Sequence, residues 1–291
     1  MIGGVILIAL GLVFLLNNLG ILPWDIWNVL WRLWPLALIA VGLDFLLGRD
    51  SRYRVPLLVG TLVIGGLLVT FWSARPGGLG GAARVEEIGE NIGGARAARV
   101  QISSGVTRLR LDALSDTSRL IEGRVSLLAG EELERSANRE GEILVYVLRS
   151  RSRGGSSNAT NSQGWNLSLT PVIPIDLRVN TGVGESDLDL SGLQLTRLEV
   201  NSGVGRAQIR LPGQGQFDAH IDGGVGEIQV TIPEEMALRL VAKAGLGRVN
   251  LPRGLVSVGE NSYESEGYAG AQNRVNLEIN GGIGQIVVRR D

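Results

Sequence analysis

Five Gly-x-Gly triplets with Val, Leu or Ile between the glycines, spaced along residues 182–284, are the residues of this chain whose type and spacing could do chemistry. They fall at Gly182 and Gly184, Gly203 and Gly205, Gly224 and Gly226, Gly245 and Gly247, and Gly282 and Gly284. A glycine-rich turn cradles phosphate when it opens a helix and a Gly-Lys-Ser/Thr follows. Here alternating apolar residues follow each triplet, and no Gly-Lys-Ser/Thr occurs. "ESDLDLSG" (Glu185–Gly192) has the carboxylates of a calcium loop, but Asp187 and Asp189 align with Gln208 and Arg210 one repeat later. Calcium-binding repeats carry GGxGxD in series, which this chain does not. His220 is the single histidine, and it stands beside an inward position, Ile221, with no nucleophile motif. The absence of cysteine removes disulfides, thiolate metal sites and cysteine nucleophiles. No catalytic residue, cofactor or metal set is predicted. With 28 basic and 29 acidic residues there is no basic field for nucleic acid.

The triplets therefore call for a structural reading. The first three intervals between them are 21 residues each and the last is 37, which is one more repeat with an insertion of 16 that includes Gly259–Gly270. A fixed period in this range marks a stacked repeat. The LxxLxLxxN spacing of leucine-rich repeats fails in most copies. Aligned, the copies repeat apolar residues at Leu177, Leu198, Ala219, Leu240 and Leu277, and at Val179, Val200, Ile221, Ala242 and Ile279. The same holds after the glycines at Leu188, Ile209, Val230, Leu251 and Val288. The spacing of two predicts strands with one buried face. "VQISSGVTRLRL" (Val100–Leu111) reads as a degenerate first copy with Thr107 at the second glycine position. The expected fold of residues 96–291 is an all-β solenoid with a 21-residue period. Gly-Val-Gly turns the corner, and the residue between the glycines is expected to point into the core. Glu185, Arg206, Glu227 and Arg248, followed by Gln285, are expected to form an outer ladder of alternating charge that sets register.

Ahead of the triplets, Ala129–Glu142 reads as a polar turn or short helix, and Ser150–Gly164 as a low-complexity loop. Glycosylation sequons stand at Asn158 and Asn166, a pattern common by chance.

Residues 1–72 have a different solvent. Five of the six tryptophans lie before residue 73. Residues 2–22 and 55–72 are uncharged, and residues 33–47 carry one acid, Asp44. A spanning helix needs about 20 apolar residues, so these read as three transmembrane helices, the second completed by flanking tryptophans. Trp24, Trp27, Trp31 and Trp34 share one helical face and suit the membrane interface. Asp44 lies near Arg49 and Arg52 and reads as an interfacial acid paired with arginine. The three arginines of Gly48–Arg54 place that loop in the cytoplasm. The N-terminus is then cytoplasmic, and everything beyond Trp72 lies outside; a false second span reverses the sides. Residues 73–95, with "ARPGGLGGAAR", read as a Gly-rich linker.

"GVILIALGLVFLLNNLGIL" with "WRLWPLALIAVGLDFLL" resembles the membrane region shared by bacterial LiaI and LiaF proteins, through Asn-Asn-Leu-Gly and Leu-Trp-Pro. The glycine repeats of residues 95–291 resemble the toast-rack β-solenoid domain of LiaF-like and adhesin-like proteins. The resemblance implies a multi-pass bacterial membrane protein of the cell-envelope stress response, without catalytic residues. Its implied partners are the lipid bilayer and a membrane histidine kinase or other envelope protein. The three spans counted here depart from the four-span LiaF layout. The alternative is a structural or adhesive surface module binding wall polymer or another cell. Nothing in the sequence sets an oligomeric state.

Overall fold

The computed structural model describes residues 84–115, 118–128, 131–152 and 164–291. The transmembrane helices predicted at 1–72, the four interfacial tryptophans and Asp44 lie outside these residues. The chain divides into two units, Met1–Leu79 and Gly80–Asp291, and the second is described below.

The strands run β1 (Arg84–Asn91), β2 (Ala97–Ala113), β3 (Arg119–Leu127), β4 (Glu131–Glu140), β5 (Ile143–Ser152), β6 (Trp165–Leu169), β7 (Ile175–Asp189), β8 (Leu195–Arg210), β9 (Gln216–Ile232), β10 (Ala237–Asn250), β11 (Leu255–Gly259), β12 (Ser262–Ser265) and β13 (Arg274–Arg290). A single turn of 3-10 helix, Tyr268–Gly270, interrupts this all-β order. Six of these, β2, β7, β8, β9, β13 and β10, are long strands bent at a corner, which is Gly-x-Gly in all but β2, and paired in parallel in that order. Each contributes an N arm before the corner and a C arm after it. The two arms close over one core that holds Leu177, Val179 and Leu188 of β7 and their counterparts in the neighbouring strands.

The sequence pattern accounts for the burial. Leu177, Val179, Leu198, Val200, Ile221, Leu277 and Ile279 are all fully buried. Each strand alone exposes its apolar face, so only the stack removes it from water.

The layers diverge at the ends. Beyond β2, the N-arm layer continues through β5 and β4, and the C-arm layer through β6, β3 and β1. At the opposite end the N-arm layer gains β12 and β11, while the C arm of β10 pairs with β13 alone among the described residues.

Three expectations are corrected here. Residues 73–95, read as linker, contain β1, whose Ile88 is buried while Glu86, Glu87 and Glu90 give it a polar composition. Residues 129–142, read as a turn or short helix, contain β4, a charged edge strand held by pairing to the apolar β5. The stack does not follow sequence order, because β13 lies between β9 and β10. Rungs of the same kind pair. In β9, Ile228 lies over Gly223, and in β13, Ile286 lies over Gly281. β10 has Ala244 and Val249 at those positions and takes the outer place.

Candidate functional site

The corners build the site. Gly184, Gly205, Gly226 and Gly284 have φ of 142, 140, 136 and 140°, a region that favours glycine. Packing adds a second demand. A Cβ on Gly205 would lie 1.8 Å from the carbonyl oxygen of Gly184, and one on Gly226 equally close to that of Gly205. A Cβ on Gly203 would meet the carbonyl oxygen of Gly182 at 2.4 Å, and one on Gly245 that of Gly282 at 2.8 Å. The glycines therefore let one backbone corner nest on the next. β2, at the end of the nested corners, pairs on its far side with β5 and β6, which cover only its two arms.

The residue between the glycines does not enter the core, contrary to expectation. Val183, Val204, Val225 and Ile283 are 46%, 46%, 47% and 53% exposed, and Leu246 is 70% exposed. The reason is a change of parity at the corner. Before it, Leu177 and Val179 point inward; after it, the inward residues are Ser186 and Leu188, an odd number of positions on. The outcome is an apolar ridge of five residues in register, Val183, Val204, Val225, Ile283 and Leu246.

Beside the ridge, with the second glycines as floor, run Glu185, Arg206, Glu227, Gln285 and Arg248, which together line an open groove. The column begins one rung earlier, at Arg108. Arg108 pairs with Glu185 at 3.0 Å and Arg206 with Glu227 at 3.3 Å. Arg248, expected next to Glu227, is separated from it by neutral Gln285.

Sequence reasoning missed two further columns. Arg99, Asp176, Arg197 and Asp218 occupy one, with Arg99 and Asp176 at 3.4 Å. In the other, Arg178 meets Glu199 at 2.7 Å, and His220 lies 3.5 Å from Glu278. His220 also contacts Asp222 at 3.0 Å, so it belongs to a surface polar column. Asp189 accepts hydrogen bonds from Ser191 and Arg210, which hold its carboxyl below the usual range, Ser191 foremost. The aligned period-21 sequence carries these charge columns too, at offsets that the glycines draw attention away from. Among the described residues no group of three or more His, Asp or Glu is placed to hold a metal ion.

Bent parallel strands, nested glycine corners and an open groove beside an apolar ridge define the class: an all-β stack of parallel rungs. The chain belongs to the toast_rack family: residues 81–231 match the N-terminal domain of toast_rack, DUF2154. Residues 1–46 match the LiaI-LiaF-like transmembrane region, which makes this a membrane-associated protein. Among solved structures, the chain is similar to a candidate cell adhesion protein from Clostridium sporogenes, at 24% identity and a TM-score of 0.65, over 72% of this chain and 100% of the other. That likeness is one of fold. A candidate adhesin from Bacteroides fragilis matches at 11% identity and a TM-score of 0.23, over 72% of this chain and 97% of the other. No curated protein matches.

Proposed function

We propose that this protein is a non-enzymatic regulator of the bacterial cell-envelope stress response, tethered to the membrane and acting through protein contacts. The observation that carries the reading is the union, in one chain, of a LiaI-LiaF-like transmembrane region with a β-stack that exposes a continuous apolar ridge. Scattered exposed apolar residues are ordinary, whereas a contiguous row rimmed by charge marks an interaction site. In this reading three spans put the N-terminus in the cytoplasm and the β-stack outside. The ridge and its charge column engage a membrane histidine kinase or another envelope protein. Deleting the chain and restoring it with Val204→Asp/Val225→Asp tests this. The reading expects an altered stress transcription programme in the deletion strain that the ridge variant fails to correct. An unchanged programme in the deletion strain contradicts it.

The adhesive alternative draws on the fold shared with the Clostridium sporogenes protein. In that case deletion alters attachment to surfaces or cells and leaves the stress programme as it was.

A further inference from the structure

The two layers of the stack end unevenly. Past β10, the N-arm layer carries two more strands, β12 and β11, while the C-arm layer stops at β10. The backbone of Gly245–Asn250 is thus an open sheet edge among the described residues. Open edges invite another strand, and proteins usually blunt them with charge or shortness. β1 carries three glutamates, β4 is charged along its length, and β11 has five residues. The β10 edge has one charge, Arg248, and exposes Leu246.

The core is unfinished at the same place. Ser186, Ala207, Ile228 and Ile286 are 5% exposed or less, yet their counterpart Val249 is only half-buried. Leu251 is half-buried where Leu188, Ile209, Val230 and Val288 are buried. Tyr263 and Leu255 of the overhanging hairpin also pack only partly against the core.

We infer that this notch docks one extended strand of a partner protein, with an apolar residue beside Leu246, an acid beside Arg248 and an apolar residue beside Val249. The charge column supports the acid: Arg108, Glu185, Arg206 and Glu227 alternate, and Arg248 faces neutral Gln285 on one side and the open edge on the other. Strand count argues against a second copy. In a head-to-tail stack, a second copy's N-arm layer, led by β4, reaches β11 while its β1 is still one strand short of β10. A two-fold arrangement drives its own β11–β12 hairpin into the first. A single strand, about 4.8 Å wide, fits beneath the overhang.

The notch rests on reading the domain as a contact module, but its readout is separate from any stress response. The probe is a fluorescein-labelled synthetic peptide with the sequence of Gly223–Ile232, GGVGEIQVTI, which has the required order of residues. Full-length protein in detergent is titrated into it and anisotropy recorded. Saturable binding is expected, weakened at least tenfold by Arg248→Glu and restored at least tenfold when the peptide carries Glu227→Arg. Absent binding, or equal affinity for wild-type and Arg248→Glu protein, overturns the inference. So does sedimentation showing a concentration-dependent dimer that Leu246→Glu abolishes, which would assign the edge to a second copy. Failed peptide binding alongside an intact stress phenotype removes the notch and leaves the regulatory reading standing.

Discussion

Two valines four residues apart separate core from surface. Val200 is fully buried and Val204 is 46% exposed. Val200→Ala should cost about 2 kcal/mol, near the lower end for large-to-small core changes. Val204→Ala should stay within about 0.5 kcal/mol, as exposed substitutions do. Denaturant unfolding of the two variants checks the assignment; equal losses would return Val204 to the core. Glycine makes a second contrast. Gly205→Ala must force a Cβ to 1.8 Å from a backbone oxygen at a φ of 140° and should cost more than about 3 kcal/mol. Gly270→Ala meets nothing within 4 Å and should be near neutral, within about 0.5 kcal/mol. The need for glycine at the corner was legible from the repeat. The direction of the residue between the glycines was not, because period-two alternation was carried through a corner where the backbone reverses parity.

At the scale of elements, the order of the rungs is the feature that the linear repeat conceals. Equal spacing from Gly182 to Gly245 suggests a stack in chain order, yet β13 returns to lie against β9. The paired Gly-Gly and following Ile of "GGVGEI" and "GGIGQI" are the signal, since only those rungs tuck an isoleucine over a glycine. The chain has no cysteine, so cross-linking can test this. Oxidised Glu227→Cys/Gln285→Cys should form a disulfide, as register neighbours fall within the Cα range a disulfide spans. Glu227→Cys/Arg248→Cys, with β13 between, should not. The reverse result would restore sequence order. β1 and β4 escaped a sequence reading for another reason: as edge strands they carry charge, and their partners supply the apolar side.

The pH response also belongs to the elements. Ser191 and Arg210 tie the end of β7 to its turn and to β8 through Asp189. The folded carboxyl titrates below its ordinary value of 3.8, so its contribution to stability is present above that pH. It is lost as pH falls through the lower folded value. The stability gap between wild type and Asp189→Asn should therefore be full near neutrality and close below about pH 3.8. A gap that widens in acid contradicts the assignment.

At the scale of the whole molecule, apolar runs near the start and the glycine repeat made the transmembrane region matched over residues 1–46 and the β-stack legible. The ends of the stack were not legible, because the strand deficit past β10 arises from how the two layers terminate. The central claim is that the β-stack presents its ridge outside the cytoplasm, and one measurement addresses it directly. Glu235→Cys, at an exposed turn, would be the single thiol of the chain. Intact cells treated with a membrane-impermeant maleimide should label it. Protection in intact cells, with labelling only after lysis, would place the stack in the cytoplasm and contradict the account.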